Sequence, residues 1–213
     1  MMTTSRDLMT RLKEDTRQLH DQAEAAGYMH HLMAGTLSRE RFIASIEQTY
    51  LLHSGLEPLL RNLRQTSPLA ASALKDYHFV IAEGARRDLE FFGRSTHGLR
   101  PNEGVRAFLA EAHAWDARNP EALLGMFYVL EGSLNGAKII GKKCRDLFQL
   151  EEGQGLQHLD PHGRDMRSRW MEFVTTMNTL PFTEQTKADM VEAAGQAFRY
   201  VGQMYREICR EVA

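Results

Sequence analysis

The chain has 213 residues, 43% hydrophobic and 25% charged, a composition that is typical of a globular domain and excludes a disordered or fibrous chain. Lys and Arg number 26 against 28 Asp and Glu, and this net charge of −2 argues against binding to nucleic acid or a membrane surface, which usually needs a basic excess. Two cysteines form no disulfide framework, and the longest apolar run, 122–130, cannot span a bilayer. We therefore expect one soluble, cytoplasmic domain over 1–213, with a flexible segment at 1–6.

Apolar residues recur at spacings of three and four through most of the chain, which predicts helices. Ser38 and Thr183 are expected N-caps, and Pro120 fits the first turn of a helix, where its missing N–H costs nothing. Alternating β-branched runs and hairpin signals are missing from the sequence, so the fold class is all-α, a single-domain multi-helix bundle. In chain order, the predicted helices cover residues 8–23, 42–59, 74–92, 105–115, 120–148, 165–180 and 183–212.

Familiar metal and nucleotide motifs are missing from this sequence. A di-iron bundle needs a Glu-x-x-His pair on each of two helices, yet none of the nine histidines has Asp or Glu three residues before it. Neither a phosphate-binding loop nor a nucleophile elbow occurs. A cofactor would therefore be held in another way.

A polar stripe lies on the first predicted helix. Lys13, Arg17, His20 and Glu24 follow one another at spacings of four, three and four, and so share one helical face. The commoner explanation is a solvated stripe with ion pairs one turn apart. The alternative is a metal-ligand histidine whose second ring nitrogen donates to Glu24, with Lys13 and Arg17 receiving anionic groups of a planar ligand.

Four glycines interrupt the predicted helix over 120–148: Gly125, Gly132, Gly136 and Gly141. Each costs on the order of 0.5–1 kcal/mol relative to alanine, so their number requires an explanation. Close packing of helices on small residues is one explanation, and the close approach of backbone to a flat ligand is the other. Four basic residues lie toward the C-terminus of this predicted helix, where cations are favourable: Lys138, Lys142, Lys143 and Arg145. A docking patch for an acidic electron donor is a second interpretation of them.

These segments resemble the heme oxygenase family. The resemblance is carried by LKEDTRQLHDQAEAAGYM at 12–29, by GTLSRERFIASIEQTYLLHSGLEPLL at 35–60 and by ARRDLEFFG at 85–93. It is also carried by YVLEGSLNGAKII at 128–140 and by TMNTLPFTEQTKADMVEAAGQAF at 176–198. The resemblance covers nearly the whole chain. The chain is most similar to the bacterial branch of the family, whose members lack a membrane tail. The resemblance implies a heme-oxygenase-like bundle with heme between a proximal helix and a glycine-containing distal helix.

The resemblance also implies roles for individual residues. His20 would be the proximal iron ligand and Glu24 its hydrogen-bond partner, with Lys13 and Arg17 near the heme propionates and Tyr128 a further heme contact. Gly132, Ser133 and Gly136 would line the distal, catalytic side. Heme would be both substrate and cofactor, cleaved at a meso carbon with O2 to biliverdin, CO and ferrous iron. The implied partners are an electron donor, such as a ferredoxin or a flavoprotein reductase, and a bilin-binding photoreceptor as recipient of the product.

Some positions depart from the family pattern. Ser133 replaces an aspartate that orders distal water, and His53, Glu131 and Asn135 are candidates for restoring that network. Ala137 replaces a glycine.

A further departure lies where animal members carry propionate-binding bases, because this chain has Trp170 and Val174 there. Propionate anchoring would then fall on Lys13 and Arg17, or on Arg167 or Arg169.

Two alternatives to the enzyme stay open. One is a non-catalytic heme-binding carrier or sensor that has lost oxygen activation through Ser133, and the other is a heme-free bundle. The remaining histidines are expected at the surface or in the core without a function: His30, His31, His78, His97, His113, His158 and His162.

Overall fold

The computed structural model describes residues 6–210. Residues 1–5 of the predicted flexible segment and residues 211 and 212 of the last predicted helix lie outside this range. Eleven α-helices occur in this part of the chain: α1 (Leu8–Asp15), α2 (Arg17–Glu24), α3 (Tyr28–Ala34), α4 (Arg39–Thr66), α5 (Pro68–Ala73), α6 (Ile81–Phe91), α7 (Glu103–Arg118), α8 (Leu123–Ser133), α9 (Ala137–Phe148), α10 (Met166–Thr179) and α11 (Glu184–Cys209). Short 3-10 turns lie at Asp76–His78, Pro120–Ala122, Leu134–Gly136 and Gly163–Asp165. No strand occurs among residues 6–210, which confirms the all-α prediction.

The predicted helix starts are confirmed by their caps. The Ser38 hydroxyl accepts the Arg41 N–H at 3.2 Å, and the Thr183 hydroxyl accepts the Thr186 N–H at 3.1 Å. Each satisfies a donor that has no partner within the first turn of its helix. Pro120 opens a 3-10 turn that leads directly into α8.

The core forms where α11 packs along α7 and α8. Trp115 of α7 is fully buried there, and its indole N–H donates to the Gln196 side chain at 2.7 Å. The long helix α4 packs against α6 and α7 on the other side of α7. Within residues 6–210, no helix is long and apolar enough to cross a membrane.

Residues 74–92 form a 3-10 turn followed by α6, so the single helix predicted for them is wrong. The ring nitrogen Nδ1 of His78 accepts the Lys75 N–H at 3.0 Å, and Asp76 pairs with Arg64 at 2.5 Å. These side-chain bonds stabilise the turn, and α6 begins only at Ile81.

The two helices that matter most for function are also interrupted, where the sequence predicted single helices. Between α1 and α2, the Thr16 hydroxyl donates to the Leu12 carbonyl at 2.5 Å, a bond that often bends helices. Between α8 and α9 the chain passes through the 3-10 turn Leu134–Gly136. We call the segment 132–136 the glycine break.

Candidate functional site

Helix α2 presents its side chains to solvent. All of α2 lies within the described residues, and none of its residues is buried, although the helix packs against α11. The His20 side chain is 48% exposed, and its ring meets the Phe198 ring of α11 edge-on at 5.4 Å between centroids. An apolar edge contact fixes the orientation of the imidazole while leaving its nitrogens free of the core.

Two carboxylates flank the His20 ring. Nδ1 lies 3.4 Å from Asp21 Oδ1, and Nε2 lies 3.6 Å from Glu24 Oε1. Glu24 was expected as a partner from its spacing, whereas Asp21 was not, because adjacent residues on a helix do not normally face each other. The arrangement gives the imidazole one acceptor at each nitrogen.

Lys13 lies in an open cleft of about 280 Å³ between α1 and α10, which we call the α1–α10 cleft. Tyr128 of α8, with Trp170 and Val174 of α10, lines its other walls. The structure thus brings Lys13 and Tyr128 together, and it places Trp170 and Val174 beside them. Arg17 is exposed on α2, beyond the interruption at Thr16.

The glycine break exposes bare backbone. A Cβ added to Gly136 would meet nothing within 4 Å, and its φ of −86° is one that any residue adopts. A Cβ added to Gly132 would lie 3.3 Å from the Trp170 ring. Neither packing nor backbone conformation therefore requires glycine at 136.

Gly125 is different, since a Cβ there would lie 2.0 Å from the Met190 carbonyl oxygen of α11. Close helix packing therefore explains Gly125 but not Gly136, where the approach of a flat ligand stays a prediction.

Three polar residues in or next to the glycine break already have partners in the protein. Ser133 is exposed, and its hydroxyl donates to the Leu130 carbonyl at 2.6 Å. The Asn135 amide donates to the Gly132 carbonyl at 2.9 Å, and Glu131 Oε1 accepts from His162 Nε2 at 3.0 Å. On α4, burial lowers the pKa of His53 to about 3, which keeps this ring neutral.

Two of the histidines expected at the surface or in the core are buried and hydrogen-bonded to carboxylates. His162 pairs with Glu131, and His158 Nδ1 pairs with Asp88 Oδ2 at 2.7 Å. Both histidines lie in the loop region between α9 and α10. No local spacing predicts these contacts, because the Glu131–His162 pair spans 31 residues of sequence and the Asp88–His158 pair spans 70.

These features together define a helical protein with a partly exposed histidine, a lysine-bearing cleft and a stretch of uncovered backbone, a combination that suits a flat, anionic ligand with a metal centre. Comparison with known proteins identifies the class. Residues 6–207 match the heme oxygenase family, and the chain belongs to that family. The predictions of the heme oxygenase family and of its fold are thereby confirmed.

The chain is 26% identical to heme oxygenase 2 of rabbit (Oryctolagus cuniculus) over 95% of its length, and it spans 66% of that relative. It is 27% identical to heme oxygenase 2 of Synechocystis over 90% of its length, which covers 79% of that protein. Its fold superposes on heme oxygenase from Leptospira interrogans with a TM-score of 0.87 at 22% identity, covering 95% of this chain and all of the other. Heme oxygenase-1 of Synechocystis, solved in complex with heme, gives a TM-score of 0.87 at 21% identity, with coverages of 96% and 93%.

Proposed function

We propose that this protein binds heme between α2 and the glycine break and opens it at a meso carbon, producing biliverdin, CO and ferrous iron. The observation that carries the proposal is Gly136, a helix-weakening residue required by neither its φ nor its neighbours. When bound, heme supplies the iron that activates O2 and is also the ring that is opened.

His20 is proposed as the iron ligand. The neutral imidazole has one lone pair for a metal and one N–H that needs an acceptor. Because Asp21 faces one nitrogen and Glu24 the other, a carboxylate is available to the N–H whichever nitrogen holds the iron. Such a hydrogen bond fixes the tautomer and makes the ligand more basic.

Lys13 and Arg17 are proposed to bind the heme propionates. A lysine at the rim of a cleft pairs with a carboxylate while its ammonium group stays hydrated. Tyr128 and Trp170 supply aromatic surface in the same cleft, which suits the apolar edge of a porphyrin.

Gly132, Ser133 and Gly136 are proposed to form the distal face. Uncovered backbone at Gly136 would leave room for a small molecule beside the heme, because no side chain occupies the space next to it. The Ser133 hydroxyl donates to Leu130, so its remaining lone pairs accept from water rather than supply a charge. Proton delivery would then depend on ordered water held by this hydroxyl.

The electron donor is proposed to be an acidic protein, such as a ferredoxin or a flavoprotein, that docks on α9. Lys138, Lys142 and Lys143 surround Ile139, which is 69% exposed, and Met33 of α3 lies beside it at 42% exposure. A basic rim around an apolar centre suits transient binding of an acidic partner, whose encounter rate depends on complementary charge.

A single-turnover assay tests the proposed activity. Protein loaded with hemin is given ascorbate and catalase in air, and its spectrum is followed over time. We expect the Soret band to disappear while a broad red biliverdin absorption grows. A Soret band that forms and then persists would contradict the enzyme and support the heme carrier, which the engagement of Ser133 with Leu130 also favours.

The role of His20 is tested with His20→Ala and its rescue. We expect hemin bound to His20→Ala to lose the histidine-ligated spectrum and its turnover, and added imidazole to restore both, since free imidazole replaces the missing ligand. His113→Ala, at an exposed position on α7, is the matched control and should behave as wild type. An unchanged Soret band in His20→Ala would overturn the ligand assignment.

A further inference from the structure

We infer that Glu131, His162 and Arg169 are positioning residues that set the separation between α10 and the glycine break, and hence the room for the edge of the heme. The inference rests on the proposed function. We call the three residues the α10 anchor. Arg169, a candidate from the sequence for the propionates, and Glu131, a candidate for the distal water network, both bond to His162 in the fold.

The α10 anchor is a continuous chain of hydrogen bonds. Arg169 Nη1 of α10 donates to His162 Nδ1 at 3.0 Å, and His162 Nε2 lies 3.0 Å from Glu131 Oε1 at the end of α8. The side chains of His162 and Glu131 are 0% and 2% exposed. Arg169 also stacks over the Tyr77 ring, 4.5 Å from its centroid.

The donors and acceptors define one arrangement of protons. Because guanidinium only donates, His162 Nδ1 is the acceptor, so Nε2 carries the proton and donates to Glu131. A neutral imidazole thus connects a guanidinium to a carboxylate. Removing Glu131 or Arg169 would leave one nitrogen of the buried His162 ring without its partner, which is costly.

A second imidazole is directed at the same carboxylate. His78 Nδ1 accepts the Lys75 N–H, so its Nε2 carries the proton, and this nitrogen lies 3.9 Å from Glu131 Oε1 with no hydrogen-bond partner within reach. Because both rings present N–H groups to Glu131, neither has a lone pair there for a metal ion. The cluster is therefore a hydrogen-bonding device, in which Glu131 accepts from His162 and faces the unbonded N–H of His78.

Two residues of the α10 anchor are adjacent in sequence to residues of the proposed heme site. Glu131 precedes Gly132, and Arg169 precedes Trp170, whose ring is 3.3 Å from the position of a Gly132 Cβ. Glu131 of α8 is thus joined to Arg169 of α10 through His162, and the next residues along the two helices, Gly132 and Trp170, lie against each other. Loss of the polar chain would let Trp170 move relative to Gly132, inside the α1–α10 cleft that it lines.

A second buried pair provides a matched control. Asp88 of α6 accepts the backbone N–H groups of Gln157 and His158 at 2.9 and 2.8 Å, and also the His158 ring at 2.7 Å. This pair holds the same loop region between α9 and α10, but it attaches it to α6 rather than to α8. Asp88→Asn therefore loosens the loop without breaking the α10 anchor.

The first measurement is fluorine NMR of heme-free protein labelled with fluorotryptophan. The chain has two tryptophans, Trp115 and Trp170, so Trp115 in the core serves as an internal control. We expect Glu131→Gln and Arg169→Gln to shift the Trp170 signal and leave that of Trp115 in place, and Asp88→Asn to leave both unchanged. Arg169 is 28% exposed, so its variant will fold even if Glu131→Gln does not.

The second measurement is hemin binding together with the ratio of biliverdin isomers. We expect about tenfold weaker binding and an altered isomer ratio in both anchor variants, but not in Asp88→Asn. An unmoved Trp170 signal, or equal effects of Arg169→Gln and Asp88→Asn, would overturn the inference. Failure of wild-type protein to bind hemin would instead contradict the proposed function, while the fluorine result on heme-free protein would still decide the role of the anchor.

Discussion

Gly125 and Gly136 lie in the same stretch of chain, yet they have opposite surroundings. A Cβ at Gly125 would lie 2.0 Å from a backbone oxygen of α11, whereas one at Gly136 would meet nothing within 4 Å. Gly125 lets α8 and α11 approach each other closely, and Gly136 leaves the backbone at the start of α9 uncovered by any side chain. The comparison teaches that helix packing requires glycine at one of these positions and not at the other, where we propose that heme approaches the backbone.

The same contrast extends to the regions around them. Helices α7, α8 and α11 pack into a core where Trp115 is fully buried, while α2 has no buried residue. A helix with so little buried surface depends on its neighbours for stability. The packed region fixes the fold, and the open region is available to heme.

The largest expected effect is on the packed side of the comparison. Gly125→Ala should destabilise the protein by about 3 kcal/mol or unfold it, because the added methyl group overlaps backbone that cannot rotate away. The free energy of unfolding, measured in urea, checks this. Gly141→Ala is the control, since its nearest contact is the end of the Arg145 side chain at 4.0 Å, and it should not destabilise the protein. Equal stability of Gly125→Ala and wild type would refute the close-packing explanation.

The free energy of unfolding should also depend on pH through His78, which is buried in the packed region. Burial lowers the pKa of His78 from 6.5 to about 3, so between these values the unfolded chain binds a proton that the folded protein does not. The free energy of unfolding should therefore fall as the pH decreases from about 6.5, by about 1 kcal/mol per pH unit from this group.

His78→Asn tests this linkage, since its Oδ1 still accepts the Lys75 N–H. We expect a shallower pH dependence of the urea midpoint in His78→Asn than in wild type. A full slope in His78→Asn would mean that other groups account for acid unfolding.

The smallest effect is expected at the rim of the α1–α10 cleft. Lys13→Ala should weaken hemin binding only a few-fold, about 0.5–1 kcal/mol, because an exposed ion pair with a propionate is screened by solvent. Titration of the Soret band at low and high salt measures it, and the difference from wild type should shrink at high salt. Lys142→Ala, outside this cleft, should leave hemin binding unchanged. A similar loss in both variants would argue for a general effect of charge.

Local patterns in the sequence predicted much of this molecule. Helical periodicity and the caps at Ser38 and Thr183 gave the all-α fold, since these signals depend on residues a few positions apart. The spacing of His20 and Glu24 likewise predicted their proximity. The interruption at Thr16 was not predicted, because a threonine hydroxyl is equally compatible with a continuous helix.

The α10 anchor could not be predicted, for a related reason. His162 lies in DPHGRD, which reads as a loop and a cap, and its partner Glu131 is 31 residues away. Only the packing of α10 on the end of α8 brings them together. The two glycines illustrate the same limit, since the sequence offered packing and ligand approach as alternatives and the surroundings in the fold distinguish them.

Gly136→Ala, measured in two ways on the same preparation, tests the central claim most directly. Without heme, the variant should be more stable to urea by about 0.5–1 kcal/mol, because alanine adopts the φ of this position, restricts the unfolded chain and places its methyl group in open space. With hemin, it should bind more weakly and turn over more slowly than wild type, because the methyl group occupies the place proposed for the substrate. A gain in stability with unchanged binding and turnover would contradict the account.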